Sequence, residues 1–204
     1  MRRNQVAKTD IFIVGVGGQG SLSASWFLGE AAKRADLEVL VGEIHGMAQR
    51  GGVVESTVRI GEVFGPIIPD GRADVILGFE PIETLRFLPK ASADTIVISN
   101  THRIVPANVS MKGDPYPELD SVLSRIREAC PKLVAFDATE IARQAGTAKA
   151  LNAVMLGALC ESGALPMSTD LVRASILETV PKKAVEINER AFDAGAAAYR
   201  EMAG

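Results

Sequence analysis

"IFIVGVGGQGSLSASWFLGEAAKRA", residues Ile11 to Ala35, decides how the chain is read. Ile11-Phe12-Ile13-Val14 is an unbroken apolar run rich in β-branched residues, the pattern of a strand covered on both faces. Glycines interrupt it at Gly15, Gly17, Gly18 and Gly20. From Gln19 to Lys33 the pattern becomes helical, with Leu22, Trp26 and Leu28 among its apolar positions. Val39-Leu40-Val41 then reads as a second strand. A strand–turn–helix–strand unit of this kind opens a doubly wound α/β fold.

The same alternation continues outward. Val53 to Ile60 reads as a strand, and its short connection from Val41 predicts an antiparallel strand at a sheet edge. Val75 to Phe79, Thr95 to Ser99 and Leu133 to Phe136 read as further strands. Helices are expected after Pro81 through Leu88, from Glu118 to Cys130, and after Asp137 or Thr139 as cap. Leu151 to Cys160 is apolar nearly all round and predicts a buried helix. Leu171 to Val180 is helical up to Pro181. The last helix carries Ile187, Ala191, Ala194, Ala198 and Met202 on one stripe. Pro106 to Pro117 is a loop, with Asp114-Pro115 as its turn signal. The expectation is a Rossmann-like, mainly parallel sheet with helices on both faces and a helical C-terminal third.

The chain has 204 residues and a net charge of −3, which fits a single domain over residues 1–204 that folds without disulfide or metal. No basic tract has the length that duplex nucleic acid requires. No run approaches a membrane span, and Met1 to Gln5 lacks a following apolar segment. Cys130 and Cys160 stand alone, so both read as core residues in a reducing, cytoplasmic compartment. Two sulfurs cannot ligate a four-iron cluster. No metal site is expected on this chain.

Gly15, Gly17 and Gly20 fit the GxGxxG pattern between a strand and a helix, the context in which glycines let a backbone approach a pyrophosphate. Gly15, Gly17, Gly18, Gln19 and Gly20 are therefore candidate cofactor-binding residues. Glu43 ends the second strand, where dinucleotide enzymes place a ribose-binding carboxylate. A tight turn serving only helix–sheet packing is the competing reading. The next segment departs from a dinucleotide site. Ile44-His45-Gly46-Met47-Ala48-Gln49-Arg50-Gly51-Gly52 gathers donors and glycines in a loop at a strand's C-terminal end, where α/β proteins build their sites. Glu80 and Glu83 read first as helix-start carboxylates favoured by the dipole, and Asn152 as a buried amide bonded to a neighbouring turn. His102 reads as a surface residue.

Val14-Gly15-Val16-Gly17-Gly18-Gln19-Gly20 followed by Glu43-Ile44-His45-Gly46-Met47-Ala48-Gln49-Arg50-Gly51-Gly52 resembles the gamma module of 2-oxoacid:ferredoxin oxidoreductases. Further matches follow in order: Ile68-Pro69, Ala73-Asp74, Glu80-Pro81-Ile82-Glu83-Thr84-Leu85-Arg86, Tyr116-Pro117, Asp137-Ala138-Thr139-Glu140, Asn152 with Leu156 to Leu159, and Val180-Pro181. The loop from His45 to Gly52 is most like the small (beta) subunits of the indolepyruvate branch.

The resemblance implies oxidative decarboxylation of a 2-oxoacid with coenzyme A to acyl-CoA and CO2, with reduction of ferredoxin. It implies thiamine diphosphate with magnesium and [4Fe–4S] clusters on a large partner subunit, coenzyme A as co-substrate, and no catalytic residue on this chain alone. The Gly-Asp-Gly signature of thiamine enzymes is missing, since Lys112-Gly113-Asp114-Pro115 has proline at the second glycine. Under this resemblance the glycine turn shapes the fold and faces the partner or the coenzyme A side. Glu43, His45, Gln49, Arg50, Gly51, Gly52 and Glu80 form a partner or substrate face. Replacing Arg50 by Ala is then expected to lower turnover of the assembled enzyme. A free-standing NAD(P)- or flavin-dependent oxidoreductase and a regulatory nucleotide-binding module are the alternatives that the glycine turn leaves open.

Overall fold

Ile11 to Val14 form the centre of β1 (Thr9–Val16), whose eight residues are all buried. The structure is a computed structural model that describes residues 8–45, 52–104 and 116–204. The other strands are β2 (Val39–His45), β3 (Val53–Ile60), β4 (Ala73–Gly78), β5 (Ala91–Asn100) and β6 (Leu133–Phe136). They make one sheet in the order β2-β3-β1-β4-β5-β6. β1, β4, β5 and β6 pair in parallel, whereas β3 runs against both β1 and β2. Only β3 is therefore reversed. Val53 to Ile60 is antiparallel as expected, but it is not at the edge. It inserts between β1 and β2, and β2 becomes the edge strand. The physical reason is the helix α1 (Ser21–Arg34), which carries the chain past one strand position and leaves a gap that the returning β3 fills.

Strand alternation sends side chains to two cores. Ile11, Ile13, Val58, Ile60, Val75 and Leu77 pack on one face against α1, α5 (Leu151–Glu161), α6 (Thr169–Leu177) and α7 (Val185–Ala203). Phe12, Val14, Ile76 and Val97 pack on the other, beneath α3 (Leu119–Ala129) and the short α2 (Pro81–Arg86). α4 (Ala138–Ala145) follows β6, capped by Asp137, whose side chain accepts from the Glu140 N–H. Thr139 is not the cap, and it lies inside that helix.

The apolar helix α5 is buried as its composition predicts, from Ala153 through Leu159. It meets α7 at backbone distance: a Cβ on Gly157 would lie 2.0 Å from the Phe192 carbonyl oxygen. The stripe on α7 is buried at Ala191 but ends exposed at Met202. Trp26 on α1 is also exposed, at 48%.

Among the described residues, a loop and not a helix covers the second face over β2 and β3. Arg59 forms a two-pronged pair with the fully buried Asp10 and donates to the carbonyls of Gly65 and Ile67, both at 2.8 Å. Thr57 donates to the Pro66 carbonyl and Lys90 to that of Ile68. Beneath this pinned loop lies a mostly apolar cavity of about 220 Å³ bounded by Phe12, Ile44, Glu55, Pro66 and Ile67.

Candidate functional site

The parallel strands deliver their C-terminal ends to one edge of the sheet, where two strand-to-helix turns lie side by side. The first joins β1 to α1. Gln19 is buried within it and spans two backbones: its Oε1 accepts from the Val16 N–H at 2.7 Å and its Nε2 donates to the Phe79 carbonyl at 2.7 Å. Gly15 is needed for that contact, since a Cβ there would lie 2.8 Å from Phe79 Cβ. Gly18 has φ +101° and, among the described residues, nothing within 4 Å of an added Cβ. Gly20, at φ 87°, occupies the cap position of α1, which has no side-chain cap and no acidic residue in its first turn. The Gly17 N–H donates to the Gly52 carbonyl at 2.9 Å, so the turn is tied to the end of the donor-rich loop.

The second turn joins β4 to α2. Phe79 is fully buried, and its carbonyl also accepts from Asn100 Nδ2 at 3.0 Å. Asn100 donates again to the Thr139 hydroxyl at 3.0 Å, linking β5 and α4 to the same point. Glu80 and Glu83 are both wholly buried. Glu80 caps α2: its Oε2 accepts from the Glu83 N–H at 2.9 Å, and its Oε1 accepts from the Tyr116 hydroxyl at 2.5 Å. Arg103 lies over the Tyr116 ring. Burial raises the Glu80 pKa against the pull of those donors. Tyr116 is pushed up by burial first and by its bond to Glu80 second.

Among the described residues, Glu83 has no hydrogen-bond partner at either carboxylate oxygen. Arg86 Nη1 lies 3.2 Å from its Oε2. Burial pushes Glu83 up to about 7; Arg86 opposes the shift, while Glu80 and Glu55 add to it. Glu55, on β3, is itself raised by burial.

The structure brings Gly15, Gly17, Gly18, Gln19, Gly20, Gly52 and Glu80 together at this sheet edge. Glu80 sits in the interior and not on a surface. Glu43 is exposed on β2, with Ser25 Oγ 3.5 Å from its Oε1. His45 is the last residue of β2, opposite Val54. Gln49, Arg50 and Gly51 lie outside the described residues, as does the Lys112 to Pro115 segment. The Asn152 Oδ1 accepts from the Ala153 N–H of its own helix, and its side chain lies 3.5 Å from where a Gly20 Cβ would be. The neighbouring turn is thus in contact, but no hydrogen bond reaches it. His102 is half-buried, with Nδ1 3.9 Å from Asp137.

Sequence reasoning read Glu83 as a helix-start carboxylate, named Tyr116 only within the family resemblance and singled out no role for Asn100. The spacing Glu80-Pro81-Ile82-Glu83 does carry a signal, because a cap residue and a carboxylate three positions later belong to a helix start.

Cys130 packs in the core on the α3 side of the sheet, whereas Cys160 packs against the core on the other side. The chain's two thiols therefore cannot serve one iron–sulfur cluster. Burial raises both, Cys160 to about 12. Among the described residues no group of His, Cys, Asp or Glu is placed to hold a metal ion, and no helix is long and apolar enough to cross a membrane.

A mainly parallel α/β sheet with a glycine turn at its C-terminal edge defines the class of fold. The chain belongs to the pyruvate ferredoxin/flavodoxin oxidoreductase family, whose model matches residues 10–198. It is 45% identical to the indolepyruvate oxidoreductase subunit IorB of Methanothermobacter thermautotrophicus, over 94% of this chain and 98% of that one. The IorB subunit of Thermococcus kodakarensis is 44% identical over 96% and 98% of the two chains. The ketoisovalerate oxidoreductase subunit VorA of Methanothermobacter thermautotrophicus is 28% identical, and this chain spans 36% of its length.

Among solved structures, the pyruvate oxidoreductase subunit PORC of Thermotoga maritima matches with a TM-score of 0.70 at 24% identity, covering 94% of this chain and 97% of that one. The 2-oxoglutarate:ferredoxin oxidoreductase of Magnetococcus marinus matches with a TM-score of 0.72 at 22% identity, covering 96% of this chain and 32% of that one. These structural likenesses show the fold.

Proposed function

We propose that the chain is the small subunit of a 2-oxoacid:ferredoxin oxidoreductase acting on indolepyruvate or a related arylpyruvate, working in the cytoplasm as one gamma-type module. The near full-length match to IorB subunits carries this reading. Thiamine diphosphate, magnesium and [4Fe–4S] clusters belong to a larger partner, which converts 2-oxoacid and coenzyme A to acyl-CoA and CO2 and passes electrons to ferredoxin. This chain supplies shape and polar groups beside that chemistry. Its glycine turn and the Glu43 to Gly52 segment face the partner or the coenzyme A side. The bare N-terminus of α1 supports this, because its N–H groups and dipole favour an anionic group.

The surface supports a partner as well. Among the described residues, large apolar side chains are exposed at Trp26, Leu40, Val41, Ile44, Phe64, Ile67 and Met202. All but Met202 belong to the open β2 edge, to the loop that Arg59 pins beside it, or to α1. Trp26 stands one turn before Gly29, where an added Cβ would lie 3.0 Å from Val41. Phe64 is 96% exposed. An apolar fringe along the free edge of a sheet is the character of an interface core. In VorA the matched region is about a third of a longer chain, which supports a larger polypeptide as the occupant.

Oxygen-free co-purification tests the reading. A large chain bringing iron–sulfur absorption is expected to accompany this one and to turn over arylpyruvates. The double variant F64E/I67E is expected to melt like the parent yet bind the large chain at least about tenfold more weakly, as loss of a central anchor predicts. A lone, colourless chain that binds NAD would overturn the reading. Unchanged assembly of the double variant would move the interface off this edge.

A further inference from the structure

The β4–α2 turn holds two carboxylates on one helical turn, Glu80 and Glu83, both with no solvent exposure. Their surroundings differ. Glu80 is served by the Tyr116 hydroxyl and by backbone N–H groups of Glu83, Ile82 and Ile104. Glu83 has no hydrogen bond at either oxygen among the described residues. Two carboxylates that repel one another in an apolar setting do not both ionise at ordinary cost, and the one with more hydrogen-bond donors keeps the charge.

Among the described residues, the groups facing Glu83 are few. Arg86 lies 3.2 Å away on the same helix, 40% exposed at its side chain and so partly hydrated. Glu55 adds negative charge from β3, with Lys90 acting on Glu55 in turn. α3 presents the buried, apolar Val122 and Ile126 on this face of the sheet. Beyond Glu80 stand Tyr116 and Arg103. The single guanidinium is thus opposed by two carboxylates and by complete burial.

We propose that Glu83 is a positioning residue that carries a proton in the folded chain, and that this proton keeps Glu80 ionised, capping α2 and gripping Tyr116. Through Glu80 the effect reaches the candidate site. The adjacent Phe79 carbonyl holds Gln19 of the glycine turn and Asn100 of β5. Loss of the proton sets Glu83 against Glu80 and loosens that junction.

The direction with pH follows from linkage. Closed Glu83 titrates at about 7, whereas an opened side chain titrates near its ordinary 4.5. Between those values the closed form keeps a proton that the open form has released, so rising pH favours opening. Above about 7 both forms are ionised and the dependence ends.

The test uses the isolated full chain, so its outcome is separate from that of the partner reading. The Glu83 and Thr84 amides donate to Glu80 Oε2 and to the Glu80 carbonyl. Their hydrogen-exchange protection, corrected for the intrinsic rate, is expected to fall at least about tenfold from about pH 5 to about pH 7 and then level off. In Glu83→Gln, which is neutral throughout, it is expected to stay level.

If instead Glu83 is ionised and held by Arg86, the Gln variant will be less protected at every pH, and that result overturns the proposal. Equal pH dependence in both proteins overturns it too. Carboxyl carbon NMR of the unmutated chain gives an answer even if the variant fails to fold. A Glu83 midpoint near 7 supports the proton, and one below about 5, in the ordinary carboxylate range, rejects it.

Discussion

The two strand-to-helix turns at this sheet edge solve one problem in opposite ways. Each must end a buried strand and start a helix against the other. The β1–α1 turn does so with glycines and a neutral amide, Gln19, and leaves the N-terminus of a 14-residue helix without side-chain cap or acidic residue. The β4–α2 turn does so with two buried carboxylates on a 6-residue helix and fills its own N-terminus with Glu80. The helix that satisfies itself has nothing left to offer a ligand. The helix that begins at Gly20 has no side-chain cap of its own on its N–H groups and dipole. On the function proposed above, the uncapped end and its glycine would carry the binding, while the capped end carries the support.

Both turns depend on backbone approach, and the support side is expected to be the less forgiving. An alanine Cβ at Gly78 would lie 1.8 Å from Thr84 Oγ1 and 2.9 Å from its Cβ. Thr84 cannot yield freely, because its hydroxyl is bonded to the Glu80 carbonyl at 2.8 Å inside the core. Gly78→Ala is expected to cost about 3 kcal/mol, as overpacking of a filled core does, and to lower Tm by roughly 10 °C in a chain of this size. A drop of under about 2 °C, the scale of a surface change, would show that α2 floats on the sheet and is not the rigid partner in the comparison.

Gln19→Leu probes the bridge between the turns. It removes the donor to Phe79 and leaves the buried Val16 N–H without its acceptor. The Phe79 carbonyl keeps Asn100. The expected loss is about 2 kcal/mol, the cost of one orphaned buried donor plus a lost bond, read by denaturant unfolding. If Gln19→Leu is neutral, the glycine turn stands by itself, and the link between the two turns is geometric only.

How far the sequence revealed this arrangement follows from the same residues. Strand and helix identity was legible because periodicity reports burial directly: Ile11 to Val14, Leu151 to Cys160 and Leu133 to Phe136 all lie where their patterns place them. The position of Val53 to Ile60 was not legible. Its alternation gives facing and its short connection from Val41 gives direction, but neither says which neighbour it inserts beside, and that depends on how far α1 carries the chain.

The same limit applies to charge. Glu80 and Glu83 look alike in sequence, as first-turn carboxylates. Only the fold shows that Tyr116, 36 residues away, serves one and leaves the other bare. Gln19 was noticed as a member of the glycine pattern, but its use as an internal brace depends on Phe79 arriving from β4. For the candidate site, then, spacing marked the place and tertiary contact decided the roles.

The smallest expected effect separates the two uses of glycine within the first turn. Gly15 is required by contact with Phe79, whereas Gly18 has open space around its would-be Cβ and is required only by its φ of +101°. Gly18→Ala is therefore expected to cost about 1 kcal/mol of stability, the penalty for a left-handed backbone alone. It should fold, melt a few degrees lower and assemble. That modest cost makes the variant informative about function. If the open space beside Gly18 accommodates the partner's chemistry or a coenzyme A group, a methyl there will raise KM for coenzyme A or lower turnover by much more than the melting shift explains. If turnover of the assembled enzyme is unchanged, the first turn is support like the second, and the comparison reduces to two ways of ending a strand.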